Sequence, residues 1–206
     1  MSTATESQRL RDKIKEEFKK CATSAEYFLT KYSYIQHPIR GRVLFDLYKY
    51  QKEALLDFES HDYNIVLKGR QIGISTLVAG YALWLMLFHN DKNILVIATK
   101  QETAKNLVTK VKFMHQNLPI WLRGTIVTDN KLSLQFSNGS QIKAVASSPD
   151  AGRSEALSLL ILDECLGGTQ TTYIQDQITG ETKQITLEDL YNELSSDAET
   201  SAADNM

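Results

Sequence analysis

The sequence predicts an α/β fold in which flanking helices pack on a mainly parallel sheet. Three apolar runs have strand length: Ile65–Leu67, Asn93–Ala98 and Leu157–Glu164. Helix-like segments follow the first two, at Leu77–Phe88 and from about Glu102 to Asn117. Strands that alternate with helices in this way form βαβ units, whose strands lie parallel and become buried.

The composition is that of a soluble protein. The chain has 206 residues, enough for one domain with a sizeable core or one domain and a small addition. Its longest apolar run is too short to span a bilayer, and its first residues do not resemble a signal peptide. Cys21 and Cys165 provide no disulfide framework, so we expect a reducing cytoplasm and no membrane contact.

A change in charge divides the chain. Residues 1–164 hold 22 Lys and Arg against 17 Asp and Glu, whereas residues 165–206 hold one lysine against eight acids. So abrupt a change indicates a boundary. The predicted segments are a helical arm, an α/β domain, a short second unit and a disordered tail: 1–44, 45–164, 165–194 and 195–206.

The arm and the start of the domain are predicted to be mostly helical. Helices are expected at 7–20, at Ala25–Lys31 behind a Thr23-x-x-Glu26 capping box, and from Tyr48 to Phe58. The third of these helices carries Gln51, whose amide can both donate to and accept from an adenine edge. A lone glutamine on a helix is usually only solvated, so Gln51 gains weight from its position upstream of the next motif.

A glycine-containing loop separates the first strand from its helix. Backbone N–H groups and a helix N-terminus in such a loop face an anion, and a hydroxyl reaches Mg²⁺. The pattern departs from G-x-x-x-x-G-K-[ST], because Gly69 and Gly73 are one residue too close and Ile74 stands in place of lysine. Lys68 and Arg70 are the nearby cations. The loop residues are Lys68, Gly69, Arg70, Gln71, Ile72, Gly73, Ile74, Ser75 and Thr76.

The third apolar run ends in an acidic pair. Asp163 is suited to hold Mg²⁺ through its water shell, and Glu164 to polarise an attacking water. The alternative is a buried strand followed by two solvated acids. A glutamine, a phosphate loop and an acidic pair in this order favour an ATPase core. Between the last two motifs, alternating apolar residues around Asn138-Gly139 predict a hairpin, and Ser147–Ser154 a polar loop with Arg153.

From about Tyr27 to Glu164, the chain resembles the ATPase half of the large terminase subunit of tailed bacteriophages, the motor that packages DNA into proheads. The resemblance implies a partial sheet of the P-loop NTPase fold, ASCE type. In some members the loop lysine stands where Lys68 is. The matching pieces are Tyr50-Gln51, Lys68–Thr76, Phe136–Ser140, Ser147–Arg153 and Leu160–Glu164.

The resemblance also implies roles for individual residues. Lys68 would contact phosphate, Arg70 the γ-phosphate region, and Ser75 or Thr76 with Asp163 would hold Mg²⁺. Glu164 would be the catalytic base, while Arg153 matches a family arginine of less defined role. The implied ATP-binding set is Gln51, Lys68, Gly69, Arg70, Gln71, Ile72, Gly73, Ile74, Ser75, Thr76 and Arg153.

ATP and Mg²⁺ are the implied cofactors. The implied partners are double-stranded DNA, the portal protein, the small terminase subunit and further copies in a homo-oligomeric ring. The implied location is the host bacterial cytoplasm, at the prohead.

The segment Cys165–Leu194 resembles the N-terminal part of an intein, a β-rich Hint-like fold. Cys165-Leu-Gly-Gly matches the opening block, and Tyr173–Leu190 the hairpin and helix, although Thr169-Gln170 replaces the usual Asp-Thr. Such a cysteine attacks the preceding carbonyl, which here belongs to Glu164. No histidine follows it, and Asn205 precedes methionine. The resemblance therefore implies a split intein, whose complementary fragment and terminase half form a separate polypeptide.

Alternatives remain open from the sequence. Cys165 could be an ordinary core residue, followed by a divergent or truncated tail, with the chain acting only as a nucleotide- or DNA-binding module. A helicase-like NTPase of another family is a further alternative. Under the terminase hypothesis we expect negligible ATPase activity from this chain alone, because its sheet is incomplete.

Overall fold

A computed structural model describes residues 2–66, 68–69, 71–148, 156–163, 171–175, 182–186, 188–189 and 192. The chain divides into two compact units, Met1–Asp163 and Glu164–Met206. Over the part of the chain described, no helix is both long and apolar enough to cross a membrane.

The described residues of the first unit form five α-helices, one 3-10 helix (Ile120–Leu122) and seven strands. The helices are α1 (Ser2–Thr23), α2 (Ala25–Tyr32), α3 (Lys49–Ser60), α4 (Ile74–Phe88) and α5 (Gln101–Gln116). The strands are β1 (Tyr34–His37), β2 (Gly41–Leu44), β3 (Asn93–Ala98), β4 (Ile126–Asn130), β5 (Ser133–Phe136), β6 (Gln141–Ala146) and β7 (Leu159–Asp163). Every predicted helix of this unit is present, with its ends shifted by a few residues.

A five-stranded sheet has the order β4-β5-β6-β3-β7. Strand β3 pairs in parallel with β6 and β7, whereas β4–β5 and β5–β6 are antiparallel. The predicted mainly parallel sheet is therefore mixed, because the Asn138-Gly139 hairpin and the unpredicted β4 add an antiparallel half. In the β3–β7 register Ala98 lies opposite Asp163, so the acidic residue stands at the carboxyl end of the sheet.

One face of the sheet packs against α4 and α5. Helix α4 is apolar on nearly all sides, as expected for a helix enclosed by other elements. Ile94, Val96 and Ala98 of β3 belong to this core. Side chains alternate between faces along a strand, so Leu95 and Ile97 lie on the opposite face.

The N-terminal helices are fixed to α4. The Trp84 indole N–H donates to the Cys21 carbonyl at 2.8 Å, and the Phe28 and Phe88 rings meet edge to face at 5.4 Å. The predicted cap of α2 at Thr23 is wrong. Helix α1 continues through Thr23, and Ser24, with an extended backbone, accepts the N–H of Tyr27 at 3.1 Å.

The predicted buried strand at Ile65–Leu67 is also wrong for the residues that are described. Tyr63–Val66 belongs to no strand, and Ile65 and Val66 are 59% and 40% exposed. Leu67 lies outside the described residues. A strand needs a neighbour to pair its backbone N–H and C=O groups, and no described strand pairs with this segment.

The second unit contains an antiparallel strand pair, β8 (Thr171–Gln175) and β9 (Thr182–Thr186). The hairpin predicted after Cys165 therefore has its two strands. After β9, the Thr186 hydroxyl accepts the N–H of Asp189 at 3.0 Å. Cys165 itself, residues 176–181 and the predicted tail 195–206 lie outside the described residues, as do most residues of the helix predicted to follow the hairpin.

Replacing Phe28 with alanine should destabilise the whole first unit, because Phe28 is completely buried and joins α2 to α4. We expect a loss of about 3–5 kcal/mol in the free energy of unfolding, measured by urea denaturation of the full chain. Ile39→Ala is the matched control, since Ile39 is 90% exposed. Equal effects of the two substitutions would show that the arm does not share the core.

Candidate functional site

The loop between Lys68 and α4 ends in left-handed backbone. Gln71 has φ 62°, and Gly73, the N-cap residue of α4, has φ 81°. No side chain caps the start of α4. The first N–H groups of a helix carry partial positive charge, so an uncapped N-terminus after such a turn is suited to an anion.

Three side chains converge beside this helix start. Asp163 Oδ1 accepts from Lys68 Nζ at 3.2 Å and from Ser75 Oγ at 3.1 Å. Lys68 Nζ is also 3.2 Å from Ser75 Oγ. The strand end and the loop, 95 positions apart in the chain, therefore meet at one carboxylate oxygen.

The two adjacent hydroxyl residues face different surroundings. Ser75 contacts Asp163, whereas Thr76 lines a cavity of about 340 Å³ with residues of β1 and α5, among them Lys110. The sequence alone does not distinguish which of the two hydroxyls would hold a metal ion. The geometry favours Ser75.

Tyr50 and Gln51 hold the loop from the other side. The Tyr50 hydroxyl donates to the Ile72 carbonyl at 2.6 Å, and Gln51 Nε2 donates to the same oxygen at 3.4 Å. Gln51 Oε1 accepts the N–H of Tyr48 at 3.1 Å, and the side chain is 2% exposed. A contact between Gln51 and adenine stays a prediction, and it would require the release of these bonds.

Lys110 is a residue of this region that the sequence did not single out. It lies half-buried on α5 and lines the same cavity as Thr76. Burial lowers the pKa of the Lys110 ammonium; the Asp163 carboxylate offsets part of this effect, and the Lys68 charge adds to it. A single lysine on an amphipathic helix gives no local signal that could have identified it.

Of the remaining predicted site residues, some are described by the structure and others lie outside the described residues. Ile74 is 5% exposed, so only its backbone could face an anion. Gly69 and Ile72 lie in the described part of the loop, with the Ile72 carbonyl already engaged. Arg70, Arg153, Glu164 and Cys165 lie outside the described residues, and their roles stay predictions.

The side chains present fit a magnesium ion that also binds phosphate. Hydroxyl and carboxylate oxygens are ligands that Mg²⁺ prefers, and it usually keeps waters and phosphate oxygens as its other ligands. Among the described residues no group of three or more His, Cys, Asp or Glu converges on one point. An ion at Ser75 and Asp163 would thus need ligands from a bound phosphate and from water.

The fold and this geometry define an α/β protein with a candidate anion-binding loop at the carboxyl end of its sheet. Residues 65–198 match the family described as terminase large subunit, T4likevirus-type, N-terminal. The chain therefore belongs to the terminase large subunit family. The match continues through the segment after Cys165.

A solved structure supports the same fold. The chain is similar to the crystal structure of the HK97 bacteriophage large terminase, with a TM-score of 0.57 and 21% identity. The similarity covers 76% of this chain and 33% of that terminase. The chain thus spans about a third of the length of the terminase it matches.

Gly73→Ala should destabilise the loop. A Cβ at Gly73 would lie 2.7 Å from Gln51 Nε2, and the positive φ disfavours any L side chain. We expect the free energy of unfolding to fall by about 1–2 kcal/mol in urea denaturation. Gly69→Ala is the control, because among the described residues its Cβ would meet Ile72 Cγ2 alone, at an ordinary contact distance of 3.9 Å. A tolerated Gly73→Ala would contradict the described loop conformation.

Proposed function

We propose that the chain is the N-terminal ATPase part of a phage DNA-packaging motor and that MgATP binds between residues 68–76 and the end of β7. The observation that carries this proposal is the contact of Asp163 with both Lys68 and Ser75. It places a loop cation, a loop hydroxyl and a strand-end carboxylate at an uncapped helix N-terminus, where a nucleotide phosphate and its metal ion have complementary partners.

Each of the chain's own residues would have a separate role in binding MgATP. Ser75 and Asp163 would hold Mg²⁺, while Lys68 would exchange Asp163 for a phosphate oxygen and so keep its charge paired. Tyr50 and Gln51 would keep the Ile72 carbonyl bonded to α3. When bound, MgATP supplies the phosphoanhydride bond whose hydrolysis drives DNA movement.

For three more residues, we propose roles from their positions in the chain and from the family resemblance. Glu164 directly follows Asp163, which suits a base that orients water beside the metal ligands. Arg70, inside the loop, would stabilise charge on the γ-phosphate. Arg153 would approach the nucleotide from the loop before β7.

The partners and the location belong to the same proposal. In the complete motor we propose double-stranded DNA as the substrate that is moved, with the portal protein, the small terminase subunit and a ring of identical subunits as partners. The motor would work at the prohead in the host bacterial cytoplasm.

Ser75→Ala should weaken nucleotide binding more than Thr76→Ala, because only the Ser75 hydroxyl contacts Asp163. With a fluorescent ATP analogue and Mg²⁺, we expect Kd to rise at least ~10-fold, which corresponds to one lost contact to a charged partner. Thr76→Ala should change Kd less than ~3-fold, and EDTA should remove the difference. A larger effect of Thr76→Ala would assign the Mg²⁺-binding hydroxyl to Thr76 instead of Ser75. Equal small effects of the two substitutions would refute the proposed site.

Hydrolysis tests the motor assignment itself. The purified chain should show negligible Mg²⁺-dependent ATP turnover, because β7 lacks a strand on one side among the described residues. Robust turnover by this chain would refute the proposal that its ATPase domain is incomplete.

Two experiments on the complete protein separate the alternatives. Stimulation of turnover by portal protein would distinguish a packaging motor from a helicase-like NTPase. Loss of turnover in Glu164→Gln would distinguish an enzyme from a binding module.

We also propose that Cys165 opens the N-terminal fragment of a split intein. Support comes from the separate compact unit Glu164–Met206 and from its antiparallel pair β8–β9. The Cys165 thiolate would attack the Glu164 carbonyl carbon, forming a thioester. The peptide C–N bond breaks, and the Cys165 nitrogen becomes a free amine after taking up a proton. A complementary polypeptide would complete the exchange and join new sequence to Glu164.

Cys165→Ala should abolish any such joining, because alanine has no nucleophile. The chain would be co-expressed with the reading frame that encodes an intein C-terminal fragment ending in His-Asn and continuing as terminase. Mass spectrometry should then find a peptide that links Glu164 to the second polypeptide. Cys21→Ala is the control and should still join. If no linked peptide forms, the segment after Glu164 is a terminase continuation or a divergent tail, as the family match through residue 198 allows.

A further inference from the structure

Three arginines and two isoleucines are exposed on neighbouring segments of the first unit. Arg40 and Arg42 belong to the β1–β2 hairpin, and Arg123 directly follows the 3-10 helix. Ile39, at the tip of the hairpin, is 90% exposed, and Ile120, in the 3-10 helix, is 85% exposed. We call these five residues the basic surface.

The two segments of the basic surface are joined, and neither contains an acidic residue. Arg42 Nη1 donates to the Asn117 amide oxygen at 2.9 Å, which ties the hairpin to the end of α5. The Arg42 guanidinium also lies 5.2 Å from the centre of the Tyr34 ring. Residues 34–45 and 117–127, which include both segments, contain no Asp or Glu. The arginines therefore have no acidic neighbour within either segment.

A surface of the opposite charge lies on α3 and on the residues that follow it. Leu56, Asp57, Glu59, Asp62 and Tyr63 are all exposed, Leu56 by 58% and Tyr63 by 61%. Leu56 and Glu59 are three positions apart in α3, so they lie on the same side of the helix. No lysine or arginine stands between Leu56 and Tyr63 in the sequence. We call these five residues the acidic surface.

The charges of both surfaces are unpaired within the part of the chain that the structure describes. The ion pairs of that part join other residues. Exposed charges alone need no partner, because water solvates them. Here, however, each charged group accompanies two large exposed apolar side chains. Protein interfaces combine an apolar centre with a polar rim and are enriched in arginine and tyrosine.

The two surfaces lie on elements that pack separately on α4. Helix α3 meets α4 where the Phe58 and Tyr81 rings are 5.7 Å apart. Helix α5 packs on α4 as well, and β1 packs on α5. Among the described elements, none of the main contacts joins α3 to α5 or to the hairpin. A contact between the two surfaces therefore requires two copies of the chain in a head-to-tail arrangement.

We propose that the basic surface of one copy binds the acidic surface of the next copy of this chain. The two isoleucines would pack against Leu56 and Tyr63, while the arginines would pair with the carboxylates around them. A head-to-tail contact closes into a ring when the rotation between neighbours allows it. The inference rests on the proposed function, which includes a ring of identical subunits, and it assigns the surfaces that would form that ring.

Charge reversal of each surface tests the contact. The all-acidic variant is Arg40→Glu/Arg42→Glu, and the all-basic variant is Asp57→Lys/Glu59→Lys. In sedimentation velocity, the full parent chain should associate in a concentration-dependent manner that NaCl weakens. Each variant alone should associate at least ~10-fold more weakly, because like charges would then face each other.

Mixing the two variants should restore association to within ~3-fold of the parent. In the mixture, both surfaces of one variant are acidic and both surfaces of the other are basic, so every contact between unlike copies joins opposite charges. Restoration also shows that both variants are folded. If each variant alone is impaired and the mixture is impaired too, the head-to-tail contact is wrong.

A matched control separates this contact from a general effect of net charge. Arg9→Glu/Arg11→Glu changes the charge by the same amount on the exposed side of α1. This variant should associate as the parent does, and mixing it with the all-basic variant should not restore association. An equal loss in the control, or no association of the parent at up to about 1 mM, would overturn the proposal.

Double-stranded DNA is the other partner that a basic surface could bind. Fluorescence anisotropy with a labelled duplex measures this directly. The all-acidic variant should bind DNA within ~3-fold of the Arg9→Glu/Arg11→Glu control, which carries the same net charge. A selective loss of DNA binding with unchanged self-association would assign the basic surface to phosphate groups and overturn the stated occupant.

The nucleotide proposal is separated by its own variant. Ser75→Ala should leave self-association unchanged, since Ser75 lies at the start of α4 and belongs to neither surface. If the charge swap restores association while Ser75→Ala leaves nucleotide binding intact, the ATP site fails and the interface stands. If Ser75 matters for nucleotide binding but the charge swap restores nothing, the interface fails by itself.

Discussion

The shared Asp163 carboxylate is the contact on which the candidate site depends. The segment before the loop is paired with no described strand, so among the described residues no strand pairing positions the loop against the sheet. Instead Lys68 and Ser75 attach one side of the loop to β7, while Tyr50 and Gln51 attach the other side to α3 through the Ile72 carbonyl. The described contacts that hold the loop are thus made by side chains, and each of these bonds is worth about 1–3 kcal/mol at most.

The parts of the fold that local sequence determines were predictable. Helix α4 and strand β3 follow from continuous apolar runs, and the β5–β6 hairpin from alternation around Asn138-Gly139. The β1–β2 strands and β4 were missed because they are short and mostly half-buried or exposed, which leaves no clear period. The strand at Ile65–Leu67 was predicted from apolar character alone. Strand formation also needs a partner, and none of the described strands supplies it.

The candidate site, like the fold, could be predicted only where local sequence determines it. The order of motifs indicates that the loop and the acidic pair belong to one site, and Lys68 and Asp163 are in contact. Local sequence could not show that Ser75 and not Thr76 faces Asp163, because this depends on how α4 is rotated against the sheet. Nor could it show that Lys110, on another helix, lies within the field of both charged groups.

The burial of Ile74 restricts which residues the loop can carry at this position. Its side chain, at the position where the usual pattern has lysine, is part of the hydrophobic core under α4. Restoring the usual pattern with lysine at that position would place an ammonium group among apolar side chains, at a cost of several kcal/mol. The loop of this protein is therefore not a damaged copy of the common motif that one substitution could repair. Its first helical turn anchors the fold, and evolution could regain the common arrangement only by repacking the core beneath it.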